Sequence, residues 1–87
     1  MSKAGYTLAD VEAMLRACAP DARLELKKHK YWAIRGSVIF TDFPKGQGAG
    51  GAKKSRIRVE DGRIRKCVTM LGIARECVER RLPDLWR

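Results

Sequence analysis

Three short runs joined by links of only two residues constrain this chain more than any other feature. Residues 22–27 (ARLELK), 30–35 (KYWAIR) and 38–43 (VIFTDF) each read as a strand. In the first, Leu24 and Leu26 alternate with Arg23, Glu25 and Lys27, the pattern of a half-buried strand. Tyr31, Trp32 and Ile34 give the second its strand character. Lys28-His29 and Gly36-Ser37 are too short for a crossover connection, so the three strands must run as an antiparallel meander. Pro44 ends the third.

Helical patterns flank the meander. In residues 7–18, Leu8, Val11, Leu15 and Cys18 form one apolar stripe with Met14 beside it. Thr7 with Asp10 three residues later reads as an N-cap, and Pro20 stops the helix. Arg56 to Val59 reads as a short edge strand, and Asp61 as the N-cap of a second helix. Ile64, Cys67, Val68 and Leu71 are its buried stripe, and Gly72 suits its end. Residues 74–82 form a third helical piece with Cys77, Val78 and Leu82 inward, and Trp86 either docks on the body or anchors a partner. The predicted fold is a single α+β domain over residues 1–87, in the order α-β-β-β-α. Both helices cover one face of the sheet, a short helical extension spans 74–87, and the other face is free for a ligand.

Composition narrows the function classes. Eighty-seven residues support one modest core, and an apolar content of 45% excludes a disordered tail. No run approaches the ~18 apolar residues of a membrane span, and Asp10 and Glu12 interrupt the N-terminal segment where a signal peptide would be apolar. The expectation is a cytoplasmic protein without a membrane partner. Cys18, Cys67 and Cys77 are odd in number and contain no CxxC, so they read as buried free thiols. With a single histidine they make no zinc site, and neither a metal nor another cofactor is expected.

Nineteen Lys and Arg against ten Asp and Glu give a net charge of +9, which implies a polyanionic partner. The charge clusters in KKHKYWAIR (27–35) and KKSRIRVEDGRIRK (53–66). Residues 44–55, four of them glycine, read as a flexible loop that carries Lys45, Lys53 and Lys54 toward phosphates, followed by Arg56 and Arg58. The loop is not a nucleotide-binding P-loop, because Ala52 stands where that motif needs lysine. Tyr31 and Trp32 must face opposite sides of their strand. Trp32 shares its parity with Ile34 and is expected in the core, leaving Tyr31 on the ligand face as a base-stacking residue. Glu25 and Asp42 read as ion-pair partners rather than metal ligands.

The order of elements matches the double-stranded-RNA-binding type of fold, and the residues narrow it. From about residue 8 to 78 the chain resembles the HicA family of mRNA interferase toxins. His29 follows the first strand where that family has a Gly-Ser-His motif, VIFTDFPKG (38–46) stands for its third strand and proline, and GRIRKCVTMLGI (62–73) resembles its last helix. Lys27-Lys28 replace the Gly-Ser, and Lys45-Gly46 follow the proline where the family often has a second histidine. The resemblance implies an endoribonuclease that cuts mRNA without metal and is neutralised by an acidic antitoxin.

On that reading His29 is the general base that takes the proton from the ribose 2′-hydroxyl, since an imidazole titrates close to neutral pH. Its neighbours Lys27, Lys28 and Lys30 favour the neutral, basic form and hold phosphates. Lys28 and Lys30, with Lys45, stabilise the charge of the transition state. One histidine cannot be base and acid at once, so a slow enzyme or a helping water is implied. Two rival classes remain: a nucleic-acid-binding module that keeps the fold without the chemistry, and a phage or plasmid protein whose basic surface binds an acidic host protein.

Overall fold

The computed structural model of the protein describes residues 5–27, 30–43 and 54–86. A two-residue strand β1 (Tyr6–Thr7) leads into helix α1 (Leu8–Cys18). The Thr7 hydroxyl accepts the Asp10 N–H at 3.3 Å, and the Asp10 carboxylate accepts the Thr7 N–H at 2.8 Å. This reciprocal capping box satisfies donors that the first turn would otherwise leave unpaired. Leu8, Val11, Met14 and Leu15 are buried along the predicted stripe.

The meander forms as read: β2 (Ala22–Lys27), β3 (Lys30–Arg35) and β4 (Val38–Phe40) make an antiparallel sheet in the order β2-β3-β4. Ala22 pairs with Arg35 and Lys27 with Lys30 along one ladder; Ala33 pairs with Phe40 and Arg35 with Val38 along the other. Gly36 supplies the left-handed residue (φ 60°) of the β3–β4 link. β4 stops three residues short of the predicted strand. The Arg63 guanidinium donates to both the carbonyl and the carboxylate of Asp42 at 2.8 Å, and Phe43 turns into the core edge-to-face against Phe40.

The segment expected as an edge strand of this sheet does not join it. A 3₁₀ turn (Lys54–Arg56) precedes β5 (Arg58–Val59), which pairs with β1 instead, Tyr6 opposite Val59. Burial decides the placement, because Ile57 and Val59 enter the core and the Ile57 carbonyl accepts the Leu8 N–H at 2.8 Å.

Helix α2 (Asp61–Leu71) buries Ile64, Cys67, Val68 and Leu71 as predicted, but Glu60 occupies the N-cap position and Asp61 is the first helical residue. Gly72 ends it in the left-handed conformation (φ 66°). Helix α3 (Arg75–Arg81) places Val78 inward, and Leu82 and Leu85 are buried behind it. Trp86 is half-buried against the core with the Arg75 guanidinium 4.4 Å from its ring centroid. One cluster joins the stripes of α1 and α2 to Ala33 and Phe40, so both helices cover the same face of the sheet.

The cysteine expectation needs correction. Cys18 and Cys77 form a disulfide between α1 and α3, and only Cys67 is a free buried thiol. Cys18 lies at the end of the α1 stripe, where α3 packs against that helix. Burial pushes the Cys67 thiol up to about 12, far from its reactive thiolate form. Among the described residues, no helix is long and apolar enough to cross a membrane.

Candidate nucleic-acid interface

The register settles which side chains share the face of the sheet away from α1 and α2. Directly opposed residues of an antiparallel pair point the same way. Lys27 opposes Lys30, Glu25 opposes Trp32, Arg23 opposes Ile34, and Ile34 opposes Ile39. These seven residues therefore lie on the side away from α1 and α2.

Trp32 is at the centre of that face and is half-buried. The Lys27 ammonium sits 5.3 Å from the centroid of its ring. Arg23 and Lys27 flank Glu25; Arg23 makes a short charge-assisted hydrogen bond to it, and Lys27 stands 3.6 Å away. The Arg23 hydrogen bond holds the Glu25 carboxyl below its ordinary range, against the opposing effect of desolvation. Three cations against one carboxylate leave this face positive around an aromatic ring.

The face assignment of the two aromatics reverses the sequence expectation. Tyr31, expected on the ligand side, packs against the core with Leu24 and Ala22; Trp32, expected in the core, is outside. Ile34 is only 6% exposed, yet it is not part of the core cluster. It lies between Arg23 and Ile39 of the neighbouring strands, so its burial does not mark the core side. The small Ala33 does mark it, fully buried opposite Phe40.

Of the other expected site residues, Lys28, His29, Lys45 and Lys53 lie outside the described residues. Lys27 and Lys30 share the face of Trp32. Lys54 does not: it bonds Glu12 of α1 at 2.9 Å and lies 5.7 Å from the centroid of the Tyr31 ring, on the helix side. Arg56 and Arg58 are exposed beside the start of α1, in the 3₁₀ turn and β5. Arg23 was missed. The signal was present, since a two-residue link puts odd positions of the first strand on the face of even positions of the second.

Part of the basic charge has an internal use. Arg35 bonds Asp21 at 3.0 Å and donates to the carbonyls of Leu71 and Gly72 at 2.9 and 3.2 Å, which closes the end of α2. Arg65 donates to the Leu85 carbonyl at 2.6 Å, holding the C-terminal segment. Arg63 ties Asp42 to α2. Glu25 and Asp42 are ion-paired as expected, with Arg23 and Arg63. Among the described residues no three His, Cys, Asp or Glu side chains gather as a metal site. Comparison of the chain with protein-family models, with curated proteins and with solved structures finds no match.

Proposed function

We propose that this domain binds RNA on the open face of its three-stranded sheet, with Trp32 as the stacking platform and Arg23, Lys27 and Lys30 tracking the phosphates. The observation that carries the reading is the placement of Trp32 away from the helix-covered core, with the Lys27 ammonium 5.3 Å from its ring. An aromatic side chain on an open basic face offers every base a stacking partner, while the cations supply affinity without sequence readout. A residue with no ligand role would more often be polar at such a site.

The proposal extends to cleavage through the sequence resemblance to HicA-type interferases. His29 lies in the chain between Lys27 and Lys30, the two lysines that pair on the Trp32 face. It is the general base of this reading, and a small acidic antitoxin covering the same basic face is the expected protein partner. The double-stranded-RNA-binding type of fold is likewise part of the proposal.

The test uses a long RNA in the presence of a chelator. Trp32→Ala lowers RNA affinity, whereas Tyr31→Phe leaves it unchanged. His29→Ala retains binding and loses cleavage. Binding without cleavage by the unmodified protein supports the non-catalytic module instead, and unaltered affinity of Trp32→Ala removes the sheet face from the proposal.

A further inference from the structure

β2 is an edge strand whose outward hydrogen-bonding groups can be identified. The two-residue link Gly36-Ser37 makes Arg35 and Val38 a hydrogen-bonded pair, so the odd residues of β3 bond to β4 and its even residues bond to β2. The bonded partners in β2 are then Arg23, Glu25 and Lys27, opposite Ile34, Trp32 and Lys30. Ala22, Leu24 and Leu26 therefore turn their backbone groups to the open side. The Ala22 N–H bears this out, because it leaves the ladder and bonds the Ala19 carbonyl at 2.8 Å. Among the described residues no strand pairs with this edge.

An open edge of this length is a template for another strand. The charges of β2 choose which. A two-fold axis through Leu24, perpendicular to the sheet, sets Arg23 opposite Glu25 of a second copy, and that contact occurs twice. The same register puts Leu24 opposite Leu24 and brings Leu26, which is 54% exposed, against Ala22 of the second copy. Moving the axis to Glu25 destroys the match, because it opposes Arg23 to Lys27. The other edge, β4, has three uncharged residues and nothing to select a register.

We infer that β2 is a self-complementary docking edge for a second copy of this chain, pairing antiparallel about Leu24. The Leu24 N–H donates to the Leu24 carbonyl of the other copy, and the Leu26 N–H donates to the Ala22 carbonyl, in both directions. The product is a continuous six-stranded sheet that sets the two Trp32 faces side by side on one surface. The contact spans few residues and each copy carries a net charge of +9, so the dimer is concentration-dependent and strengthened by salt that screens the repulsion.

Sedimentation of the nucleic-acid-free full chain from micromolar to millimolar concentration tests this. The unmodified protein shows a monomer–dimer equilibrium. Arg23→Glu and Glu25→Arg each place like charges opposite one another twice and weaken the dimer by about tenfold. The double variant restores opposite charges in reverse order and regains the association. Leu24→Pro removes an N–H that serves only the outer edge, so the β2–β3 ladder persists by far-UV circular dichroism while dimerisation is lost. A monomer at all concentrations, a double variant no better than the singles, or undiminished association of folded Leu24→Pro would each overturn the inference.

Discussion

The Arg35 guanidinium reaches from β3 to the C-terminus of α2, where it donates to the carbonyls of Leu71 and Gly72 while its Nε holds Asp21. One side chain thus joins the start of the meander, its central strand and the last turn of the second helix. Charge-assisted hydrogen bonds of this kind contribute about 2 kcal/mol when the alternative is an unpaired carbonyl. Arg35→Ala is expected to lower the unfolding free energy in urea by about that amount, and Arg35→Lys to recover only part of it, because an ammonium cannot form the same planar fork.

Acid should act on the same contacts. Arg35 holds the Asp21 carboxyl below its ordinary range by a hydrogen bond, and Arg23 does the same for Glu25. A carboxyl with a depressed folded pKa contributes stability that is complete above its unfolded pKa. That contribution is lost as pH falls through the folded value. Stability measured in urea should therefore decline below the ordinary carboxylate range. Asp21 is exposed and Glu25 only half-buried, so the decline is shallow, and Asp21→Asn should flatten it further.

The three cysteines should behave in two ways. Cys18 and Cys77 close a loop of 59 residues, for which chain entropy predicts a stabilisation of about 4 kcal/mol. Reduction, or the Cys18→Ser/Cys77→Ser pair, is expected to lower the urea midpoint without changing the far-UV spectrum of the native state. Cys67 should resist a thiol reagent in the native protein and react at once in denaturant, because its burial disfavours the thiolate.

Salt dependence distinguishes phosphate contacts from stacking. Each lysine contacting a phosphate of single-stranded RNA contributes about 0.7 to the slope of log affinity against log salt. Lys27→Ala with Lys30→Ala should reduce that slope by about 1.4. Trp32→Ala should lower affinity at every salt concentration by about 1–3 kcal/mol and leave the slope unchanged. Fluorescence anisotropy of a labelled oligonucleotide, titrated at several salt concentrations, reads both quantities.

Much of the architecture was legible in the residues because local rules decided it. The two-residue links forced the meander, the Thr7–Asp10 pair started α1, and the spacing of Ile64, Cys67, Val68 and Leu71 selected the buried side of α2. Periodicity reports neighbours along one element, and these features need nothing more. The site was less legible. Parity separated Tyr31 from Trp32 correctly, but the choice of face depended on Ile34, which is buried on the side opposite the core.

Sequence alone determined that this is a basic α+β domain with three antiparallel strands and helices on one face. Only tertiary structure decided that Trp32 rather than Tyr31 stands on the open face, and that β5 pairs with β1 rather than extending the sheet. It likewise decided that Cys18 meets Cys77, and that Arg35, Arg63 and Arg65 hold the body together. The physical reason is common to all four. Each depends on which segments, distant in the chain, come within contact distance when the core closes, and charge counts and local periodicity are the same whichever way it does.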